Sequence, residues 1–186
     1  MGVEHPDTAT NLNNLAALYE SMKRYLEAEP LLVRSLQIQE KHLGSSHPDI
    51  ATSLNNLAAL YESTGRDVEA EQLYLKSLKI YEQTLGASHP QVAQSLNNLA
   101  GLYKSRGNYI RAESLYLRSL QIREQALGNH PNVATSLNNL AVLYATQGKF
   151  NEAKSLFLRA LEISQDTWGE SHPLSQSLRR SLEAVQ

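Results

Sequence analysis

The chain repeats one pattern of apolar and polar positions four times. In each copy, apolar residues recur at positions i, i+3, i+4 and i+7, as in Leu54, Leu57, Ala58 and Tyr61. This spacing places them on one side of a helix. A glycine follows, and then a second stripe of the same period runs to Leu85. Each copy is therefore predicted to form two amphipathic helices, which we name helix A and helix B.

Sequence signals at the helix ends divide the chain into repeats. A His-Pro pair precedes every helix A, and a glycine follows every helix B. Proline fits the first position of a helix, and glycine adopts the left-handed conformation that often follows the last. The predicted repeats span residues 5–46, 47–88, 89–129 and 130–171, and a fifth pair, His172-Pro173, opens a final helix over 173–186. The motif Leu-Asn-Asn-Leu-Ala marks helix A at Leu12–Ala16, Leu54–Ala58, Leu96–Ala100 and Leu137–Ala141.

A single hairpin of about 40 residues cannot bury both of its stripes, so neighbouring hairpins must stack and share a core. In the second repeat, small and large residues alternate at Leu57, Ala58, Tyr61, Ala70 and Tyr74. This alternation resembles the tetratricopeptide repeats (TPR), in particular the 42-residue type of kinesin light chains. The resemblance implies an all-α fold: a right-handed superhelical solenoid of four TPR hairpins plus a C-terminal capping helix, in one domain over residues 1–186. It also implies that the A helices line the concave side.

Charge and composition narrow the classes of partner. The chain has 17 Lys and Arg against 19 Asp and Glu, a net charge of −2, which gives no field to attract nucleic acid or an anionic membrane. It has no cysteine and no apolar run long enough to span a membrane. Motifs for a nucleophile elbow, a phosphate loop or a metal protease are absent from the sequence. We expect a soluble, cytoplasmic protein that is not an enzyme and has no cofactor.

The face of helix A opposite the core is uncharged in all four repeats. In the second repeat it consists of Thr52, Asn56, Ala59 and Ser63. Solvent-facing helix positions usually carry Lys and Glu, so this composition indicates a groove floor. An asparagine amide both donates and accepts hydrogen bonds, which suits the backbone of an extended peptide. We predict peptide contacts for Asn14, Asn56, Asn98 and Asn139.

The first asparagine of each pair lies on the flank of helix A. It could contact the same peptide or bond to an adjacent helix. This set comprises Asn13, Asn55, Asn97 and Asn138.

Lys104 is the one basic residue near the groove-facing end of a helix A, and it is a further candidate for peptide contact. TPR domains that hold a C-terminal carboxylate add Lys or Arg on helix A. Here the matching positions are neutral, so the resemblance does not extend to that carboxylate clamp.

The five His-Pro histidines are not expected to bind metal. They occupy the same point of successive hairpins and should lie about 8–10 Å or more apart, whereas the ligands of one zinc each lie ~2 Å from it. We predict instead that they form hydrogen bonds, either at the helix starts or between repeats.

Two functions remain open. The first is an adaptor that binds an extended segment of a partner protein in an asparagine-lined groove. The second is a structural or self-associating scaffold, in which the ends of the repeat array stack on other copies and the asparagines only brace the array.

Overall fold

The computed structural model describes residues 5–185, without the side chain of Pro6. Residues 1–4 and Gln186, which the predicted domain and capping helix include, lie outside the described part. Within it the chain is all-helical, as predicted, with nine helices and no strand. The helices are α1 Pro6–Ser21, α2 Tyr25–Leu43, α3 Pro48–Ser63, α4 Asp67–Leu85, α5 Pro90–Ser105, α6 Tyr109–Leu127, α7 Pro131–Thr146, α8 Phe150–Trp168 and α9 Pro173–Ala184.

The helices form two compact units that divide between Ala87 and Ser88. The first unit contains the hairpins α1–α2 and α3–α4, and α2 packs on α3. The second contains α5–α6 and α7–α8, and α9 packs on α8. Each unit therefore repeats the predicted arrangement, in which a helix B contacts the helix A of the next hairpin.

Small residues hold the two helices of a hairpin close together. A buried serine of helix B donates to a carbonyl oxygen of helix A: Ser35 to Ala9 over 2.8 Å and Ser77 to Ala51 over 2.8 Å. Ser119 repeats the contact in the third hairpin, and Ala160 occupies the position in the fourth. These hydrogen bonds satisfy the buried hydroxyl groups while the helix backbones approach closely.

Every A-type helix begins with a histidine hydrogen bond, the first of the two predicted alternatives. The Nδ1 atom of the histidine accepts from the backbone N–H two residues later, at 3.1–3.2 Å. The histidine thus caps one of the backbone donors that a helix start leaves without an intrahelical partner. The five caps are His5, His47, His89, His130 and His172.

Replacing His130 by alanine should lower the free energy of unfolding by about 0.5–2 kcal/mol, because Asn132 N–H loses its acceptor at a helix start. His130→Ser is the matched control, since a serine hydroxyl caps the same N–H group. Urea unfolding followed by circular dichroism measures both variants. Equal losses in the two variants would contradict a capping role.

One turn between helices A and B is strained in the first hairpin only. Lys23 has φ 57°, whereas the equivalent residues Gly65, Gly107 and Gly148 have φ 77°, 73° and 74°. A left-handed residue with a side chain costs about 1–2 kcal/mol, which glycine avoids.

Lys23→Gly should therefore raise the free energy of unfolding by up to about 1 kcal/mol, after the greater backbone entropy of glycine in the unfolded chain is subtracted. Lys79→Gly, in the middle of α4, is the matched control and should destabilise by about 0.5–1 kcal/mol. A melting temperature of Lys23→Gly below that of the parent would refute the strain.

Pro30 is predicted by its position to remove a backbone hydrogen bond from the first helix B or to delay its start. The helix begins at Tyr25 and continues through Pro30 to Leu43, so its start is not delayed. The proline ring replaces an N–H group within the second turn, and the consequence for the helix is one missing donor.

The last helix covers the end of the second unit. Leu178 of α9 is fully buried. The hydroxyl group of Ser175, also on α9, lies 2.8 Å from the buried Ser164 hydroxyl of α8. The tryptophan at position 168 predicts a larger surface for the cap to cover. Trp168 is 42% exposed and stacks on the His172 ring with centroids 4.2 Å apart, so it packs on the start of the cap and not beneath it.

Candidate functional site

The predicted groove row of the first unit is exposed. Asn14 on α1 and Asn56 on α3 both face solvent, and within the described residues neither side chain makes a hydrogen bond. Ala17 and Ala59 follow them one turn later and leave the surface around the amides open. The Asn14 and Asn56 amides are thus available to the backbone of a bound peptide.

The flanking asparagines of the first unit point toward the adjacent helices. Asn13 Nδ2 donates to Ser53 Oγ over 3.3 Å, and that hydroxyl donates to Gln39 Oε1 over 2.5 Å. Asn55 is only 8% exposed and hydrogen bonds the Tyr81 hydroxyl. The Asn13 contacts connect α1, α2 and α3, and the Asn55 contact connects α3 and α4, which favours a bracing role for both asparagines.

In the second unit the asparagine rows bond to each other. Asn139 Nδ2 on α7 donates to Asn97 Oδ1 on α5 over 2.9 Å, and Asn98 Oδ1 accepts from Gln94 Nε2 over 2.9 Å. Asn98, Asn138 and Asn139 are all half-buried. The same sequence motif therefore gives exposed, unengaged amides in the first unit and a partly satisfied amide network in the second.

Lys104 is half-buried near the end of α5, and within the described residues its ammonium group has no ion pair. It leaves a positive charge on the A-helix side of the second unit.

Arg123 on α6 is a buried cation that the sequence did not single out. It is 4% exposed, and its guanidinium group donates to Asn132 O, Ser136 Oγ and Gln94 Oε1 over 2.6–2.9 Å. Burial lowers the pKa of Arg123 from its ordinary value, although an arginine remains charged. Comparing equivalent positions of the four repeats could have found it, because the others are neutral: Gln39, Tyr81 and Ser164.

Acidic residues of helix B brace adjacent hairpins in each unit. In the first unit Glu29 pairs with Arg66 over 2.7 Å, and Arg66 lies 3.7 Å from the Tyr61 ring centroid. In the second, Glu113 accepts from the Tyr144 hydroxyl over 2.9 Å. Burial, and then this hydrogen bond, raise the pKa of Tyr144 to about 12. These clusters connect a helix B to the next hairpin.

A cavity of about 190 Å³ lies among α7, α8 and α9. Its lining is mostly apolar and includes Val142, Ala145 and Phe157 from the last hairpin and Ala184 and Val185 from the end of the chain. Val142 occupies the outward row of helix A, where the earlier repeats have alanine or glycine. The outward row of α7 therefore carries one larger apolar side chain beside this cavity.

Residues 5–185 bear on two other kinds of site. They contain no group of three or more His, Cys, Asp or Glu side chains placed to hold a metal ion. In the same range, no helix has both the length and the apolar composition needed to cross a membrane.

Solved structures share this fold over nearly the whole chain. BtubC (BKLC) from P. vanneervenii aligns with a TM-score of 0.85 at 29% identity, over 97% of this chain and 72% of its own. A kinesin light chain-like protein from Podosopora anserina with nearly identical TPR-like repeats aligns with a TM-score of 0.81 at 29% identity, over 97% of this chain and 86% of its own. A point variant of that Podosopora anserina protein aligns with a TM-score of 0.82 at 28% identity, over 100% of this chain and 87% of its own.

The search of curated proteins gives no significant match. The tetratricopeptide repeat model matches three overlapping segments, residues 7–83, 49–125 and 91–166. Together they span all four hairpins. TPR domains are in general protein-interaction modules. The repeated hairpins, the buried stripes and these matches show that the chain belongs to the tetratricopeptide repeat family, with kinesin light chain-like proteins among its structural neighbours.

Proposed function

We propose that this chain is an adaptor module whose A helices bind an extended segment of a partner protein. The observation that carries the proposal is the exposed row of the first unit, where Asn14 and Asn56 have no hydrogen-bond partner among the described residues. An extended peptide has unpaired backbone N–H and C=O groups, and each amide can pair with both kinds of group. The small residues beside them leave room for the peptide.

The chemistry of this surface favours binding over catalysis. The outward rows consist of amides, hydroxyl groups and small side chains, none of which activates another as a nucleophile. TPR repeats and kinesin light chain-like neighbours are typically scaffolds without enzymatic activity. A protein partner in the cytoplasm is the corresponding expectation for ligand and location.

Selection from a random peptide library on the immobilised protein tests this function. Sequences that are enriched should bind the soluble chain in calorimetry with one defined stoichiometry, and variants of the outward row should weaken that binding. If the same peptides are still enriched after both Asn14 and Asn56 are replaced, and bind with unchanged affinity, the peptide binds elsewhere on the chain.

A second candidate is self-association through the first hairpin. Leu15 and Leu18 are 41% and 56% exposed, whereas the equivalent Leu57 and Leu60 of the second hairpin are 5% and 0% exposed. Exposed apolar surface of this kind favours association. Molar mass measured over a range of protein concentrations, for the parent and for Leu18→Gln, distinguishes a scaffold from a monomeric adaptor.

A further inference from the structure

One side of α1 is an unfilled copy of the interface that joins neighbouring hairpins. We define this side, the α1 face, by the residues that lie along it: Thr8, Asn11, Leu15, Leu18 and Met22. At the positions of α3 equivalent to Leu15 and Leu18, Leu57 and Leu60 are buried against the first hairpin. No described residue covers α1 in this way, and its two leucines and Met22 are exposed. An exposed apolar patch with a polar rim marks a surface for protein contact.

The turn at the C-terminal end of the α1 face is positively charged. Lys23 is exposed and, within residues 5–185, makes no ion pair. Arg24 pairs with Glu27 of its own hairpin. Its counterparts Arg66 and Lys149 each pair with a glutamate of the preceding hairpin, over 2.7 and 3.7 Å. An element that covers the α1 face is therefore expected to supply a carboxylate at this turn.

The N-terminal end of the α1 face has the opposite charge. Asp7 lies in the first turn of α1, and its side chain is exposed. Thr8, next to it, takes the place of Ile50, which is fully buried in α3. The apolar part of the face is thus confined to the second half of the helix. Because the two ends carry charges of opposite sign, two copies of α1 attract each other in antiparallel orientation and repel each other in parallel orientation.

The C-terminal helix α9 offers no complementary surface to the α1 face. Gln176, Arg179 and Glu183 lie on the side of α9 where α3 has buried alanine and leucine residues. A polar side of this kind does not cover exposed leucines, which disfavours head-to-tail stacking of α9 on the α1 of another copy. A two-fold symmetric contact avoids this mismatch, because it pairs the same patch on both copies.

We propose that the α1 face is the self-association site of this chain and packs antiparallel against the α1 face of a second copy. The proposal deepens the second candidate function and rests on it. With the two-fold axis between Leu15 and Leu18, each leucine contacts the other leucine of the second copy. The acidic first turn of one α1 then lies beside the turn that contains Lys23 and Arg24 in the other. This contact also gives a reason for a lysine at φ 57°, where the equivalent turns have glycine.

Charge reversal at the two ends of the face tests the antiparallel arrangement. Asp7→Lys should weaken dimerisation by roughly 2- to 30-fold, because two symmetric ion pairs are lost and exposed pairs are individually weak. The double variant Asp7→Lys with Lys23→Asp restores opposite charges and should dimerise more tightly than either single variant. Aspartate tolerates the left-handed conformation at this turn. Asp49→Lys makes the same change at the start of α3 and is the matched control, which should leave dimerisation unchanged.

A second pair of variants tests the apolar part of the face. Leu15→Gln should weaken dimerisation by at least about 10-fold, because the symmetric contact loses the side chain on both copies. Val68→Gln replaces an exposed apolar residue of α4 outside the α1 face and should have no effect. Sedimentation equilibrium of the full chain over a range of concentrations gives each dimerisation constant, and thermal melting shows that each variant is folded.

Two outcomes overturn the site and differ in what they leave standing. If the chain dimerises and neither Asp7→Lys nor Leu15→Gln weakens the dimer more than its control does, self-association uses another surface and the scaffold function stands without this site. If the parent stays monomeric at the highest soluble concentration, the site and the second candidate function fail together. The peptide-binding function is independent of both results, because it uses the outward row and not the α1 face.

Discussion

Replacing both Asn14 and Asn56 by alanine should weaken binding of a library-selected peptide by roughly 5- to 150-fold. Each lost amide contact to a peptide backbone is worth about 0.5–1.5 kcal/mol, and the double variant loses two of them. Folding should change little, because both side chains are exposed and have no hydrogen-bond partner among the described residues. Alanine is also the better helix former. Calorimetric titration and urea unfolding measure the two quantities separately.

Two control variants make that result specific. Gln37→Ala with Gln83→Ala removes two exposed amides from the B helices of the same unit and should leave peptide affinity unchanged. Asn97→Ala with Asn139→Ala removes an internal hydrogen bond of the second unit and should lower the free energy of unfolding by about 0.5–1.5 kcal/mol. If the Asn14 and Asn56 variant melts substantially lower and binds its peptide as before, the asparagines brace the array and the scaffold function is favoured.

The helix pattern was predictable because each start and stop has a local cause. Proline after histidine defines the first turn of every helix A, and the structure begins α1, α3, α5, α7 and α9 at those prolines. The all-helical class follows from the same periodicity.

Side-chain availability within the asparagine motif was not predictable from spacing. Adjacent residues on a helix differ by about 100° in direction, which separates Asn55 from Asn56. Exposure also depends on the neighbouring hairpin: Gln94 bonds Asn98 in the second unit, while Thr52 in the equivalent position of the first bonds Tyr81. The same motif is therefore open in one unit and partly satisfied in the other.

The buried charge at Arg123 escaped the sequence for a related reason. On a helix B with charged residues on several sides, one more arginine is typical of a solvent-exposed surface. Its burial results from packing against α7, whose Ser136 hydroxyl and Asn132 carbonyl accept its hydrogen bonds. Periodicity gives the direction of a side chain but not the element that packs over it.

Removing residues 171–186 should destabilise the second unit by at least about 3 kcal/mol and should promote association of the chain. The deletion removes Leu178, which is fully buried in the parent, and Val185, which is 8% exposed, and each buried side chain contributes about 1.5–3 kcal/mol. It also opens the cavity beside Phe157 and leaves the buried Ser164 hydroxyl without its α9 partner. Newly exposed apolar surface of α8 then favours contacts between copies.

The point variant Leu178→Ala tests the packing of α9 on α8 while the C-terminal segment stays present. It should lose about 2–5 kcal/mol, because it leaves a cavity against α8, whereas Gln176→Ala on the exposed side of the same helix should change stability by less than about 0.5 kcal/mol. Urea unfolding gives the stabilities, and light scattering after size-exclusion chromatography gives the molar masses. A helix that covers the core of the last hairpin cannot be removed without exposing that core. If the truncated chain stays monomeric and has the melting temperature of the parent, α9 is therefore a passive tail.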